Sequence, residues 1–147
     1  MKNEFVIPYP AASKAKSQWS KRFGLNGFWA GKPWQQRKKD ADTWHKIVWN
    51  ELTKQDIPRK VFPYPVRIRF WFNDRLDIDN DSIYVKLTID ALKGWMIEDD
   101  NKKYVKSVEM NCHEENYILV RLERYRQWHL STSTRLFWAA ESQEIPN

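Results

Sequence analysis

The run Val66-Arg67-Ile68-Arg69-Phe70-Trp71-Phe72 constrains this chain more than any other segment. Val66, Ile68, Phe70 and Phe72 alternate with a second set rich in arginine and tryptophan. Successive side chains of a strand point to opposite faces, so the run predicts a strand with one wholly apolar face. Such a face demands a second layer packed against it. The strand also leads directly into an acidic stretch, so it must deliver carboxylates at its far end.

The remaining elements follow from periodicity and punctuation. Phe5-Val6-Ile7 predicts a short strand ended by Pro8 and Pro10, and residues 11 to 34, lacking clear periodicity, a long loop. Between Gln35 and Gln55, Ala41, Trp44, Val48 and Leu52 recur at helical spacing, and Pro58 bounds the helix. A second helix should start near Asn80 or Asp81, either of which can cap it, with Ile83, Leu87 and Ala91 as its buried stripe and Gly94 as its stop. Tyr104 to Met110 and Tyr117 to Leu122 predict two strands joined as a hairpin by the polar turn Asn111 to Asn116. The order implies an α+β fold, a single domain with a mixed β-sheet and helices packed on it. That domain should occupy residues 1–124, with 125–147 an extension carrying Trp128, Phe137 and Trp138.

Composition excludes several classes. The chain has 147 residues, enough for one core, and is 41% hydrophobic with nine Trp, six Tyr and seven Phe, which argues against disorder over most of its length. Cys112 is the only cysteine, so neither an internal disulfide nor a Cys-rich zinc site is available, and His45, His113 and His129 show no ligand spacing. No apolar run approaches the roughly 20 residues of a membrane span and the start resembles no signal peptide, so a reducing, cytoplasmic setting is expected.

The net charge of +6 is unevenly spread. Residues 1 to 60 carry thirteen Lys or Arg against five Asp or Glu, whereas residues 73 to 100 carry eight acids against Arg75, Lys86 and Lys93. An acidic island in a basic protein suggests phosphate bound by one region and a cation by the other. Lys14, Lys16, Lys21, Arg22, Lys32, Arg37, Lys38 and Lys39 are the candidate DNA-binding residues, although a solvated surface would look much the same. Trp29 and Trp34 near Lys32 could stack on unpaired bases, while most of the tryptophans belong in a core.

Within the island, Asp77-Ile78-Asp79-Asn80 sets two carboxylates at spacing two, which in an extended segment share one side. Glu98-Asp99-Asp100 offers further carboxylates after the second helix, and Lys86 and Asp90, four residues apart, lie beside its buried stripe. Oxygen-only ligands suit magnesium. Taken singly, each acid is more often a cap or a solvated loop residue, and Lys86 with Asp90 an exposed ion pair. Asp77, Asp79 and Asp81 also match the first ligand positions of a calcium-binding EF-hand loop, but Ser82 replaces its glycine and Thr88 its glutamate.

The order Asp77-x-Asp79-Asn80, Lys86, Asp90-Ala91-Leu92, Asp99-Asp100 resembles the RusA-type Holliday junction resolvases, dimeric nucleases of bacteria and prophages. The likeness is strongest over residues 66 to 110 and extends more weakly to Asn26-Gly27-Phe28-Trp29. It implies a RusA-like fold and magnesium, with manganese able to substitute, held by Asp77, Asp79 and Asp100 with Asp99 beside them. It further implies Asn80 and Asp90 in support, Lys86 as the functional lysine, and cleavage leaving 5′-phosphate ends. Family members place that lysine three residues after the asparagine; here it lies six after, an insertion of about one helical turn that keeps a similar face. A four-way junction is two-fold symmetric, so a homodimer is the simplest agent of paired cuts. A nuclease for flaps or forks and a non-catalytic DNA-binding module remain the alternatives.

Overall fold

The alternating run forms β2 (Val66–Asn73), with Val66, Ile68, Phe70 and Phe72 buried on one face. The computed structural model describes residues 2–10, 15, 18, 19, 22, 23, 31–75 and 78–126, with 78–80 described in the backbone only. Around β2 lie β1 (Glu4–Pro8), α1 (Trp34–Lys54), α2 (Ile78–Leu92), β3 (Val105–His113) and β4 (Tyr117–Arg124). The four strands make one mixed sheet in the order β1-β4-β2-β3, so the chain is a single α+β domain. β3 runs parallel to β2, and β4 is antiparallel to both β2 and β1.

The expected hairpin of the last two strands does not form, because β2 stands between them. Residues 114–116 instead strap across the end of β2, where Asn73 Nδ2 donates to Glu115 O at 3.0 Å and Asp74 N to His113 O at 2.9 Å. Two strands flanking a third are about 10 Å apart, within reach of so short an extended connection. On the outer face Arg69 gives β2 a claim on both neighbours, with Nε 2.5 Å from Glu109 on β3 and Nη1 3.2 Å from Glu123 on β4.

Parallel pairing of β2 and β3 requires a crossover, and α2 supplies it. Its buried residues Ile83, Tyr84, Leu87, Thr88 and Ala91 pack toward the sheet and α1. The Trp44 and Tyr84 rings stack with centroids 5.0 Å apart and planes 7° apart, and Trp44 Nε1 donates to Thr88 Oγ1 at 3.0 Å. Aromatic stacking and a satisfied indole N–H together fix the helix pair in one arrangement.

The segment expected to be a loop between residues 11 and 34 is non-helical at Gly31, Lys32 and Pro33 but carries helix at its described residues from Ala15 to Phe23. Ala15, Gln18, Trp19, Arg22 and Phe23 are helical, Phe23 is buried, and Trp19 and Phe23 pack on Trp44 with centroids 4.9 and 5.2 Å away. Two aromatics four residues apart present one helix face, and burying each is worth roughly 2 kcal/mol. That tertiary gain outweighs the weak local pattern. The extension beyond Arg126 lies outside the described residues. Among those described, no helix is long and apolar enough to cross a membrane.

Candidate metal and nucleic-acid site

α2 begins at Ile78, earlier than the expected start at Asn80 or Asp81, so Asp79 and Asn80 lie in its first turn rather than in an extended segment. The shared side expected for Asp77 and Asp79 in an extended segment falls on side chains outside the described residues. Acidic residues in the first turn complement the positive end of the helix dipole, which favours this earlier start. Asp77 itself and the side chains of Asp79 and Asn80 lie outside the described residues. The helix also removes the calcium-loop reading: positions that an EF-hand needs in an irregular loop are helical here.

At this end of the sheet Asp81 is buried, and Tyr9 approaches from the N-terminal strand, its hydroxyl accepting from Asn73 N at 3.1 Å. Burial pushes the Tyr9 phenol well above its ordinary range, with the Asp81 carboxylate adding to the effect. Tyr9 is neutral at any physiological pH and serves as a polar wall, not as a base. Neither residue was legible as part of the site, since Tyr9 is remote in sequence and Asp81 reads as a helix cap.

The second group of acids gathers at the opposite end of α2. Lys93 Nζ lies 3.5 Å from Asp90, 3.9 Å from Asp99 and 3.3 Å from Asp100. Gly94, at φ +74°, turns the chain back so that Asp99 and Asp100 return to the lysine, and Gly94 N donates to Ile97 O at 2.7 Å. Desolvation is the largest single influence and opposes ionisation, but hydrogen bonding with Asp99 and Lys93 together outweighs it and holds the Asp100 carboxyl below the usual carboxylate range. Lys93 experiences the converse, burial opposing and Asp100 and Asp90 raising its pKa. His45, on the neighbouring face of α1, is kept neutral chiefly by burial. The sequence reading passed over Lys93; its spacing of three from Asp90 beside a glycine was the available signal.

These two groups do not meet within one chain. Asp79 begins α2 and Lys93 follows its end, which at 1.5 Å per residue sets them roughly 20 Å apart. The strand beneath agrees: Asp99 and Asp100 precede β3 at the end where Val66 starts β2, whereas α2 starts beyond Asn73. Among the described residues no three His, Cys, Asp or Glu side chains form a group able to hold a metal. Lys86 is exposed on the flank of α2, one turn before Asp90, whose ion pair is with Lys93.

The basic candidates separate into two kinds. Arg22 Nε and Lys32 Nζ lie 2.7 and 2.5 Å from the two carboxylate oxygens of Asp40, which is fully buried. Burial alone would raise the Asp40 pKa, but the hydrogen bonds from Lys32 and Arg22 outweigh it and hold the carboxyl below its ordinary range. These two cations clamp α1 to the preceding segment, which is a structural duty. Lys38 and Lys39 are exposed on the first turns of α1, with Arg37 half-buried beside them and Trp34 61% exposed just before. Lys14, Lys16, Lys21 and Trp29 lie outside the described residues. No family model matches the chain, and no curated protein matches it significantly.

Proposed function

We propose that the chain is a magnesium-dependent endonuclease of the RusA kind, cutting four-way DNA junctions as a homodimer. The observation that carries this reading is the pair of carboxylates Asp99 and Asp100, gathered with Asp90 around Lys93 at the opposite end of α2 from its start at Ile78 and Asp79. The donor set is oxygen only, which fits a hard divalent cation. Magnesium, or manganese in its place, would be held by Asp77, Asp79, Asp99 and Asp100 and would activate water and polarise the phosphodiester. Because α2 parts these ligands within one chain, a two-fold dimer that sets the start of one α2 against Asp99 and Asp100 of the other supplies the complete set.

The chain's own residues have assignable tasks. Lys93 holds Asp99 and Asp100 side by side against their mutual repulsion, so the pair is organised before any ligand arrives. Lys86 stabilises negative charge developing on the transferred phosphoryl oxygens, a contribution realised in the transition state. Arg37, Lys38 and Lys39 bind the DNA backbone and supply salt-dependent affinity without reading sequence.

Incubating the protein with a labelled four-way junction and magnesium, beside a flap, a fork and a linear duplex, tests this reading. Paired symmetric nicks on the junction alone, absent in Asp79→Asn, are expected. Preferred cutting of flaps or forks would assign the chain to another branched substrate, and tight binding without metal-dependent cutting would leave a DNA-binding module.

A further inference from the structure

Pro10 and the helical residues that precede α1 enclose, together with one face of α1, an open cavity of about 280 Å³. Ala15, Gln18, Trp19, Arg22 and Phe23 recur at spacings of three and four, so all five share one helix face. Opposite them stand Thr43 and Ile47 of α1, themselves four apart, with Lys39 one turn earlier on the same line. The volume lies at the lower end of what small-molecule sites occupy, so the cavity takes a single ring system and not a base pair.

The lining suits a heteroaromatic ring. Trp19 and the buried Phe23 supply an aromatic wall, which is backed by Trp44. At the rim Arg22 is half-exposed yet pinned: its Nε donates to Asp40 Oδ1 at 2.7 Å and its Nη2 to Thr43 Oγ1 at 3.0 Å, and its guanidinium lies 5.2 Å from the centre of the Phe23 ring. A guanidinium plane fixed beside an aromatic wall is a surface on which a base stacks, and little freedom remains to be lost on binding. The exposed Gln18 amide, both donor and acceptor, can meet the edge of any base.

Its place in the fold ties the cavity to the phosphate-binding surface and to the first group of acids. The Trp19 ring is 5.1 Å from Tyr84 of α2 and 5.5 Å from Tyr9, whose hydroxyl accepts from Asn73 N at the end of β2. Tyr84 lies six residues beyond Ile78, which puts the cavity on the order of 10–15 Å from the start of α2. On the other flank Lys38 and Lys39 are exposed, where they can hold the backbone on either side of a base.

We propose that this cavity receives one unpaired base of a branched DNA, splayed out of its stack, with Trp19, Phe23 and Arg22 around the ring and Lys39 on an adjoining phosphate. The inference rests on the branched-DNA reading and adds to it the feature that senses the branch. A base at a branch point is unstacked more cheaply than one inside a continuous duplex, so the cavity fills at a branch and stays empty on paired DNA. Paired DNA keeps only the backbone contacts, which are indifferent to structure and sensitive to salt.

Fluorescence anisotropy with the full chain tests the site, in the absence of magnesium so that nothing is cut. The probes are a duplex with a one-base thymine bulge, the same duplex with an abasic bulge, the fully paired duplex and a four-way junction. The thymine bulge should bind about tenfold more tightly than the abasic or paired duplex, the range of one base stacked on an aromatic wall. Ala15→Phe fills the cavity without altering charge; it should keep the circular dichroism spectrum, hold paired-duplex affinity within about twofold and lose the preference for bulge and junction. With 5-iodouracil in the bulge, wild type should photocross-link at Trp19 or Phe23. Equal affinity for thymine and abasic bulges, a folded Ala15→Phe with its preference intact, or cross-links confined to residues outside the cavity overturns the proposal. If Ala15→Phe does not fold, the wild-type cross-link decides. Displacement of the bulged duplex by deoxyadenosine monophosphate at comparable concentration would mark a site for free nucleotides and is equally fatal. The two readings fail separately: junction cutting without a bulge preference removes the base site and leaves the nuclease, whereas a bulge preference with the Trp19 or Phe23 cross-link, in a protein that cuts no DNA, does the reverse.

Discussion

Trp44 and Thr88 join the two helices through one buried hydrogen bond, 3.0 Å from indole Nε1 to hydroxyl Oγ1, directly beside the Trp44–Tyr84 stack. Thr88→Val keeps the shape and removes the acceptor, which leaves a buried N–H without a partner at a cost of about 1–3 kcal/mol. Trp44→Ala removes the stack as well and should cost about 3–5 kcal/mol. Urea unfolding monitored by circular dichroism measures both, and a Thr88→Val midpoint equal to wild type would show that the bond contributes nothing net.

Asp40 predicts the acid limb of stability. Its folded pKa lies below the ordinary value of 3.8 because Lys32 and Arg22 outweigh burial. A depressed carboxylate contributes stability that is complete above its unfolded pKa and is lost as pH falls through the folded value. Asp40→Asn should therefore narrow its deficit relative to wild type as pH falls from about 5 to about 2. At neutral pH the deficit should be about 1.5–3 kcal/mol, since the mostly buried Lys32 loses its carboxylate while Arg22 stays partly solvated. Thermal melts across that range make the comparison, and a deficit independent of pH would contradict it.

Gly94 occupies the left-handed region at φ +74°, where an added Cβ would meet nothing within 4 Å. The cost of Gly94→Ala is therefore backbone strain alone, about 1–2 kcal/mol, with Gly94→Asn milder. Equal melting temperatures for Gly94→Ala and Gly94→Asn would count against this account.

On the proposed function, Lys86→Ala should lower the single-turnover rate on junctions by about tenfold to a thousandfold while leaving junction affinity within about twofold. Reversing Arg37, Lys38 and Lys39 to alanine should do the opposite, weakening binding and reducing the salt slope by roughly two to three. Gel shifts at several salt concentrations beside quenched-flow cleavage separate the two. An unchanged rate in Lys86→Ala removes that lysine from the mechanism.

What was legible in the sequence is what periodicity encodes. β2 and the stripe Trp44, Val48 and Leu52 were readable because burial imposes one spacing throughout. Asp40 continues that stripe at spacing four, so its burial was encoded too, though masked by its charge. Strand neighbours were not readable: β3 and β4 are adjacent in sequence, and nothing local says that β2 will divide them. The gathering of Asp90, Asp99 and Asp100 on Lys93 depends on the return at Gly94, a three-dimensional event that composition alone does not disclose.

The central place of β2 also governs how the molecule can be assembled. Among the described strands β1 pairs only with β4, so Glu4 waits for Arg121, 117 residues later, before its strand can pair. A growing chain must therefore emerge almost to Arg124 before its first strand has a sheet partner, and one halted before Tyr117 would leave a flank of β2 open as well. Slow, late closure of this kind makes nascent and truncated forms natural clients for chaperones and proteases.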